Sequence, residues 1–153
     1  MPPLFWLAAL QPVIPLVSWW AARTSRRAAA TGRPLDEVEH RTAIRLGVQD
    51  PSAVRVVVTP HLPLPGPHWL HQIASRLGFP ATECVGLCLG HTVFLHPSWS
   101  RPAVLAHELV HTAQCERLGG LRPFLHHYLA ECLAHGYEAS PMEQEAREAA
   151  ATA

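Results

Sequence analysis

The stretch His107-Glu108-Leu109-Val110-His111 decides how the rest of this chain is read. On an α-helix, residues four apart project from one face, so the two imidazoles can close on a single metal ion. Glu108 stands one residue round, where its carboxylate can take a proton from water activated at that metal. The flanks predict a helix. Ser100 is placed to cap it, Arg101-Pro102 puts a proline in the first turn, and Ala103 to Leu118 runs unbroken to Gly119-Gly120. A chance pattern in a soluble helix would account for the five residues, but not for the helical frame, the glycine stop and the carboxylates downstream.

With 153 residues the chain is the size of one domain, with material for one substantial core. Twelve basic and twelve acidic residues cancel, so no electrostatic footprint points to nucleic acid. The charge is uneven along the chain. Four arginines and no acid lie within the first 33 residues, whereas residues 101–153 carry seven glutamates against four arginines. Four cysteines are too few for a disulfide scaffold and are not spaced as a zinc knuckle. They read as free thiols of a reducing compartment. Cys115 and Cys132, on successive predicted helices, are the pair that an extracellular setting would join.

Residues 4–22, LFWLAALQPVIPLVSWWAA, form an uncharged apolar run followed by Arg23, Arg26 and Arg27. Its length suits a bilayer crossing. Trp19 and Trp20 beside the arginines suit an interfacial belt, and the basic flank would leave the remainder on the cytoplasmic side of an inner membrane. Gln11, Pro12 and Pro15 oppose a clean span, so an apolar arm on a soluble protein is the competing reading. Residues 1–33 are therefore expected as an apolar segment and linker, and residues 34–153 as the folded domain.

Within that domain, Asp36 to Leu46 predicts a short helix with Leu35, Val38, Thr42 or Ile44, and Leu46 on its apolar face, stopped by Gly47. Val54 to Thr59 is the clearest strand, being rich in branched residues. Prolines at 60, 63, 65 and 67 make a loop, and Trp69 to Leu77 predicts another helix, closed by Gly78 and Pro80. Cys84–Leu89 and Thr92–His96 read as strands joined at Gly90-His91. The second of these leads into the metal helix and is expected at a sheet edge, where an extended peptide could add as another strand. Beyond Gly119-Gly120, a helix opens near Pro123 and a third runs from Met142 to Ala151.

Zinc at a catalytic site takes three protein ligands and leaves a fourth position open. Two carboxylates compete to join His107 and His111. Glu131 would return opposite the histidines in an antiparallel hairpin, while Glu143 opens the last helix. If Glu143 binds the metal, Glu131 could instead hold one of the metal histidines through its free ring nitrogen. Gln114, one turn beyond His111, could orient a ligand or a water. Glu145 and Glu148 read as a solvated helix face. His126, His127, His135, Tyr128 and Tyr137 lie near the returning helix and could donate to an oxyanion. His61, His68, His71, His91 and His96 read as loop or surface residues.

The runs HELVHTAQCERLGG and FLHHYLAECLAHGYEASPMEQEA, preceded by GLCLGHTVFLHP, resemble small bacterial HExxH metallopeptidase-like domains of minimal gluzincin type. Those pair an HELxHxxQ helix with a downstream PxExEA segment. The resemblance covers about residues 35–148 and is strongest from 85 onward. It implies an α+β, zincin-like domain: a short three-stranded sheet packed on a metal-binding helical hairpin, plus a C-terminal helix. It also implies that Glu143, in Pro141-Met142-Glu143-Gln144-Glu145-Ala146, is the third zinc ligand. Ser140 replaces the family's usual asparagine. Arg147 stands where related peptidases often carry an acidic or amide residue supporting a histidine ligand.

Zinc-dependent hydrolysis of a peptide or protein substrate, with Glu108 as general base, is the function these residues lead one to expect. A metal-containing, membrane-associated interaction or assembly module without hydrolysis is the alternative. An intact Glu108 weighs against it, because a structural site needs no base beside its ligands.

Overall fold

The valine run around residue 56 extends, as crowding at branched Cβ atoms favours, and forms strand β1 (Arg55–Val58). The computed structural model describes residues 5, 8, 10–76 and 84–153. Strands β2 (Gly86–Leu89) and β3 (Thr92–Leu95) form a hairpin across Gly90-His91. The sheet order is β1-β3-β2, with β1 parallel and β2 antiparallel to β3. The strand leading into the metal helix is therefore central, not the expected edge. Its four residues are all buried, because β1 pairs with its far side and helices cover both faces.

Those helices are α1 (Ile14–Ala29), α2 (Glu37–Arg45), α3 (His68–Arg76), α4 (Pro102–Arg117), α5 (Leu121–His135) and α6 (Pro141–Ala151). On one face of the sheet, Val54, Val56, Val93 and Leu95 pack against Leu105, Leu109 and Ala113 of α4 and Ala43 of α2. On the other, Leu89 and Phe94 pack against Ala21 of α1 and against Phe124 and Leu125 of α5. The result is a mixed α/β fold with a short sheet between helical layers, consistent in general terms with a small zincin-like α+β domain.

Helix α1 corrects the reading of residues 4–22 as a membrane anchor. No helix among the described residues is long and apolar enough to cross a membrane. Ile14, Ser18 and Ala21 are buried, and Ser25 donates to the Thr92 hydroxyl at 2.8 Å. These four positions form one helical stripe, and the small side chains of Ser18, Ala21 and Ser25 let the helix lie close to the sheet. Average hydropathy conceals which face of such a run meets protein. The tryptophan pair is split: Trp20 packs into the second core, and Trp19 stands exposed beneath the Arg23 guanidinium. Several positions near the chain start, and the helix stop expected at Gly78 and Pro80, lie outside the described residues.

Helix α2 begins with a capping box, Asp36 accepting from the Glu39 N–H and Glu39 from the Asp36 N–H. Its inward face is Ala43, with Leu35 and Leu46 alongside. Val38 and Ile44, expected on that face, are exposed, because the wheel of so short a helix seats only one turn's contact on α4. Helix α4 starts at Pro102 with Arg101 as its cap residue and no side-chain cap, so Ser100 does not take that part. Proline at the first position removes one of the donors a cap would satisfy.

Candidate metal centre

Helix α4 is buried along nearly its whole inner length, from Leu105 to Cys115, and it carries His107, Glu108 and His111 into the centre of the molecule. Gly119 and Gly120, both at positive φ, turn the chain back into α5, and α6 then crosses α4. The structure brings His107, His111 and Glu143 together in a cluster that could hold a metal ion. The two Nε2 atoms are 3.2 Å apart. Glu143 spans them, with Oε2 at 3.3 Å from His107 and Oε1 at 3.2 Å from His111. Metal–ligand bonds of about 2.0–2.2 Å in a tetrahedron set neighbouring ligand atoms about 3.3–3.6 Å apart. The separations are close to that spacing, and one donor atom from each of the three residues lies within 4.8 Å of the others.

Two further observations fit a divalent cation such as zinc. Glu143 is 1% exposed, and its Oε2 is fully buried without a hydrogen-bond partner, a costly arrangement for a carboxylate oxygen unless a cation meets it. The His111 tautomer is also fixed. The Gln114 amide nitrogen donates to the Met142 carbonyl at 3.0 Å and to Glu145 Oε2 at 2.9 Å. Its oxygen must therefore face His111 Nδ1, 2.8 Å away, and accept that N–H. The Nε2 lone pair is left pointing at the shared position.

Electrostatics follow from this crowding. Burial raises the Glu143 carboxyl, but the favourable contacts of His107, His111 and Tyr128 outweigh it and hold the group far below the usual carboxylate range. The Tyr128 hydroxyl supplies one of these contacts, donating to Oε1 at 2.6 Å. Burial lowers His111, and the neighbouring Glu143 and Glu108 more than reverse that, leaving it raised.

Compared with models of protein families, with curated proteins and with solved structures, the chain matches none. The site is therefore argued from its own atoms.

Glu108 is buried beside the cluster without joining it, and burial, aided by Glu143 and opposed by His111 and His107, raises its carboxyl. It lies against Gly86 of β2, where a Cβ would come within 2.5 Å of Oε1. Glycine is the residue that lets edge strand and carboxylate meet. A cleft of about 570 Å³ opens here between the start of β2, the first turns of α4, and α6, with His107, Glu108 and Tyr137 on its walls. Burial, then Glu143, Cys84 and Glu108, push the Tyr137 phenol up.

Glu131 is not in the cluster. It accepts from the Met142 N–H at 3.1 Å and lies 3.5 Å from the Ser140 hydroxyl, at the start of α6. Glu145, read as solvated surface, is exposed on one side yet joins Gln114 and, at 2.9 Å, Arg117. Its partners come from α4, distant in sequence, so no local signal marked the contact. His126, His127 and His135 stand outside the cluster, as does His91, which pairs with Glu116 at 2.8 Å. All four cysteines are free, Cys115 and Cys132 included.

Proposed function

We propose that this protein is a zinc-dependent peptidase in which His107, His111 and Glu143 hold the ion and Glu108 is the general base. The observation that carries the reading is the placement of Glu108: a buried carboxylate, raised by desolvation, on the wall of the cleft and outside the ligand set. Zinc, when bound, supplies Lewis-acid chemistry, polarising a carbonyl and acidifying water. Glu108 takes the proton of the attacking water and returns it to the leaving amine, a task suited to a buried carboxyl on the cleft wall outside the ligand set. Tyr137, on the wall of the cleft, would donate to the oxyanion.

The peptide lies along β2. The His96 N–H bonds the Val85 carbonyl, and with Gly86 opposite Leu95 the antiparallel alternation turns the N–H and C=O of Gly86 away from β3. An extended substrate pairs there, beside Glu108, by strand addition.

The test is Glu108→Gln in zinc-loaded protein, assayed on an unfolded protein substrate. It should keep its zinc and lose hydrolysis. Zinc binding by the wild type with no hydrolysis of any peptide would leave a metal-containing interaction module instead.

A further inference from the structure

Arg147 is the only arginine on the walls of this cleft among the described residues, and the chain has no lysine. It sits one turn beyond Glu143 on the same face of α6. Its Nη2 donates to the Glu138 backbone carbonyl, which anchors the guanidinium. Its Nη1 is far less engaged, at 3.4 Å from Glu138 Oε2 and 3.8 Å from Glu143 Oε2. Both exceed the span of a charge-assisted hydrogen bond. The Glu138 side chain is 86% exposed, so its pairing is weak and easily exchanged. The cleft therefore presents a fixed guanidinium with unspent donors. The wall around it is apolar and small: Val85, Ala103, Val104, Ala150 and Ala151.

We propose that Arg147 binds a carboxylate carried by the substrate residue that follows the scissile bond. This rests on the peptidase reading above and names the substrate class for it. Nη1 lies 3.8 Å from Glu143 Oε2, the oxygen that stands 3.3 Å from His107 Nε2 at the edge of the metal cluster. In a peptide, three bonds separate the scissile carbonyl carbon from the carboxyl carbon of the next residue, a span of about 4 Å. A guanidinium at that remove meets the carboxylate of a C-terminal residue, and the one or two further bonds of an Asp or Glu side chain on the same residue bring its carboxylate within the reach of the same arginine. Its planar fork suits either group. The alanines one turn further along α6 leave room for apolar substrate atoms and offer no competing charge.

Binding is measured by calorimetry on zinc-loaded Glu108→Gln protein, with three blocked alanine-leucine peptides: one with a free C-terminal carboxylate, one amidated, and one amidated with an internal glutamate. At least one carboxylate peptide should bind about tenfold or more tightly than the neutral amide. Preference for the free acid indicates a carboxypeptidase, and preference for the internal glutamate an acid-directed endopeptidase. Arg147→Met should erase the preference while zinc stoichiometry holds. Arg147→Lys should keep zinc and blunt the preference. Equal binding of all three peptides, or a preference that survives Arg147→Met, overturns the proposal. Loss of zinc in both variants also overturns it, since Arg147 would then only position Glu143. Wild-type protein incubated with the same peptides reports separately on hydrolysis: cleavage without selectivity sinks the carboxylate proposal alone, and no cleavage sinks the peptidase reading.

Discussion

Glu131 accepts the N–H of Met142 at 3.1 Å, so one carboxylate holds the start of the helix whose next residue, Glu143, faces the histidines. Ser140 supplies no side-chain cap there, and the bond from α5 takes its place. Glu143→Ala should therefore abolish stoichiometric zinc binding, because two histidines alone hold a catalytic ion poorly. Glu131→Gln should cost about 1–3 kcal/mol of stability through the weakened bond to a buried donor. It should weaken zinc by no more than about 10–100-fold, the range for groups that orient a ligand. Metal titration and urea unfolding of the two variants separate these roles. Equal loss of zinc in both would place Glu131 among the ligands.

Gln114 links His111 to α6 through bonds to the Met142 carbonyl and Glu145. Gln114→Leu removes the acceptor that fixes the His111 tautomer and leaves Nδ1–H buried without a partner. Zinc affinity should fall about 10–100-fold, whereas Arg117→Ala, which leaves the Gln114 bonds to His111, the Met142 carbonyl and Glu145 in place, should leave it nearly unchanged. Competition with a chromophoric chelator measures both.

How much of this was legible beforehand depended on whether the sequence signal was local. His107, Glu108 and His111 follow from helical spacing alone, and β1 from its branched residues. The hairpin of β2 and β3 follows from Gly90-His91 between two apolar runs. Strand order does not, because β3 becomes central only when β1 arrives from far upstream. The stripe Ile14, Ser18, Ala21 and Ser25 carries too little hydropathy to stand out from the apolar residues around it. Gly86 shows no mark in sequence of the carboxylate it accommodates.

That glycine gives a sharp prediction. In Gly86→Ala the new methyl would lie 2.5 Å from Glu108 Oε1, and the carboxylate is the softer partner, so it moves. The fold and bound zinc should be retained. Hydrolysis should drop by about 100-fold, the cost of displacing a catalytic group by about 1 Å. Unchanged turnover with normal zinc content would mean that Glu108 is not the base, or that its position is not critical.

Glu116 accepts from the Gln49 N–H at 2.6 Å, the Asp50 N–H at 3.1 Å and His91 at 2.8 Å. Burial raises its carboxyl, but these donors prevail and hold it below the ordinary value. A depressed folded-state pKa adds stability that is complete above the unfolded value of about 4.3 and is lost as pH falls through the folded value. Urea midpoints should therefore decline below about pH 5 more steeply in the wild type than in Glu116→Gln. Parallel curves would show that the clamp between α4, the loop after α2 and the β-hairpin contributes no pH dependence.

The last prediction concerns residues 14–29. If α1 were an appendage, removing it would spare the rest of the molecule. In the structure it covers Leu89 and Phe94 on the back of the sheet and packs beside Phe124 and Leu125 of α5. A protein beginning at residue 30 would expose these side chains to water, at about 25 cal/mol for each Å² of apolar surface uncovered. Such a chain should be markedly less stable or aggregate, although every residue proposed for the metal site is present. Within the full chain, Ala21 is 0% exposed, so Ala21→Leu has no space and should cost about 1–3 kcal/mol by overpacking. Trp19 is 58% exposed, and Trp19→Ser should fall within about 0.5 kcal/mol of wild type. Denaturant unfolding of the three proteins tests the point. Should the truncated chain match the full one in midpoint and slope, the contact of α1 with the sheet would be incidental, and the sheet's back face would be stable without it.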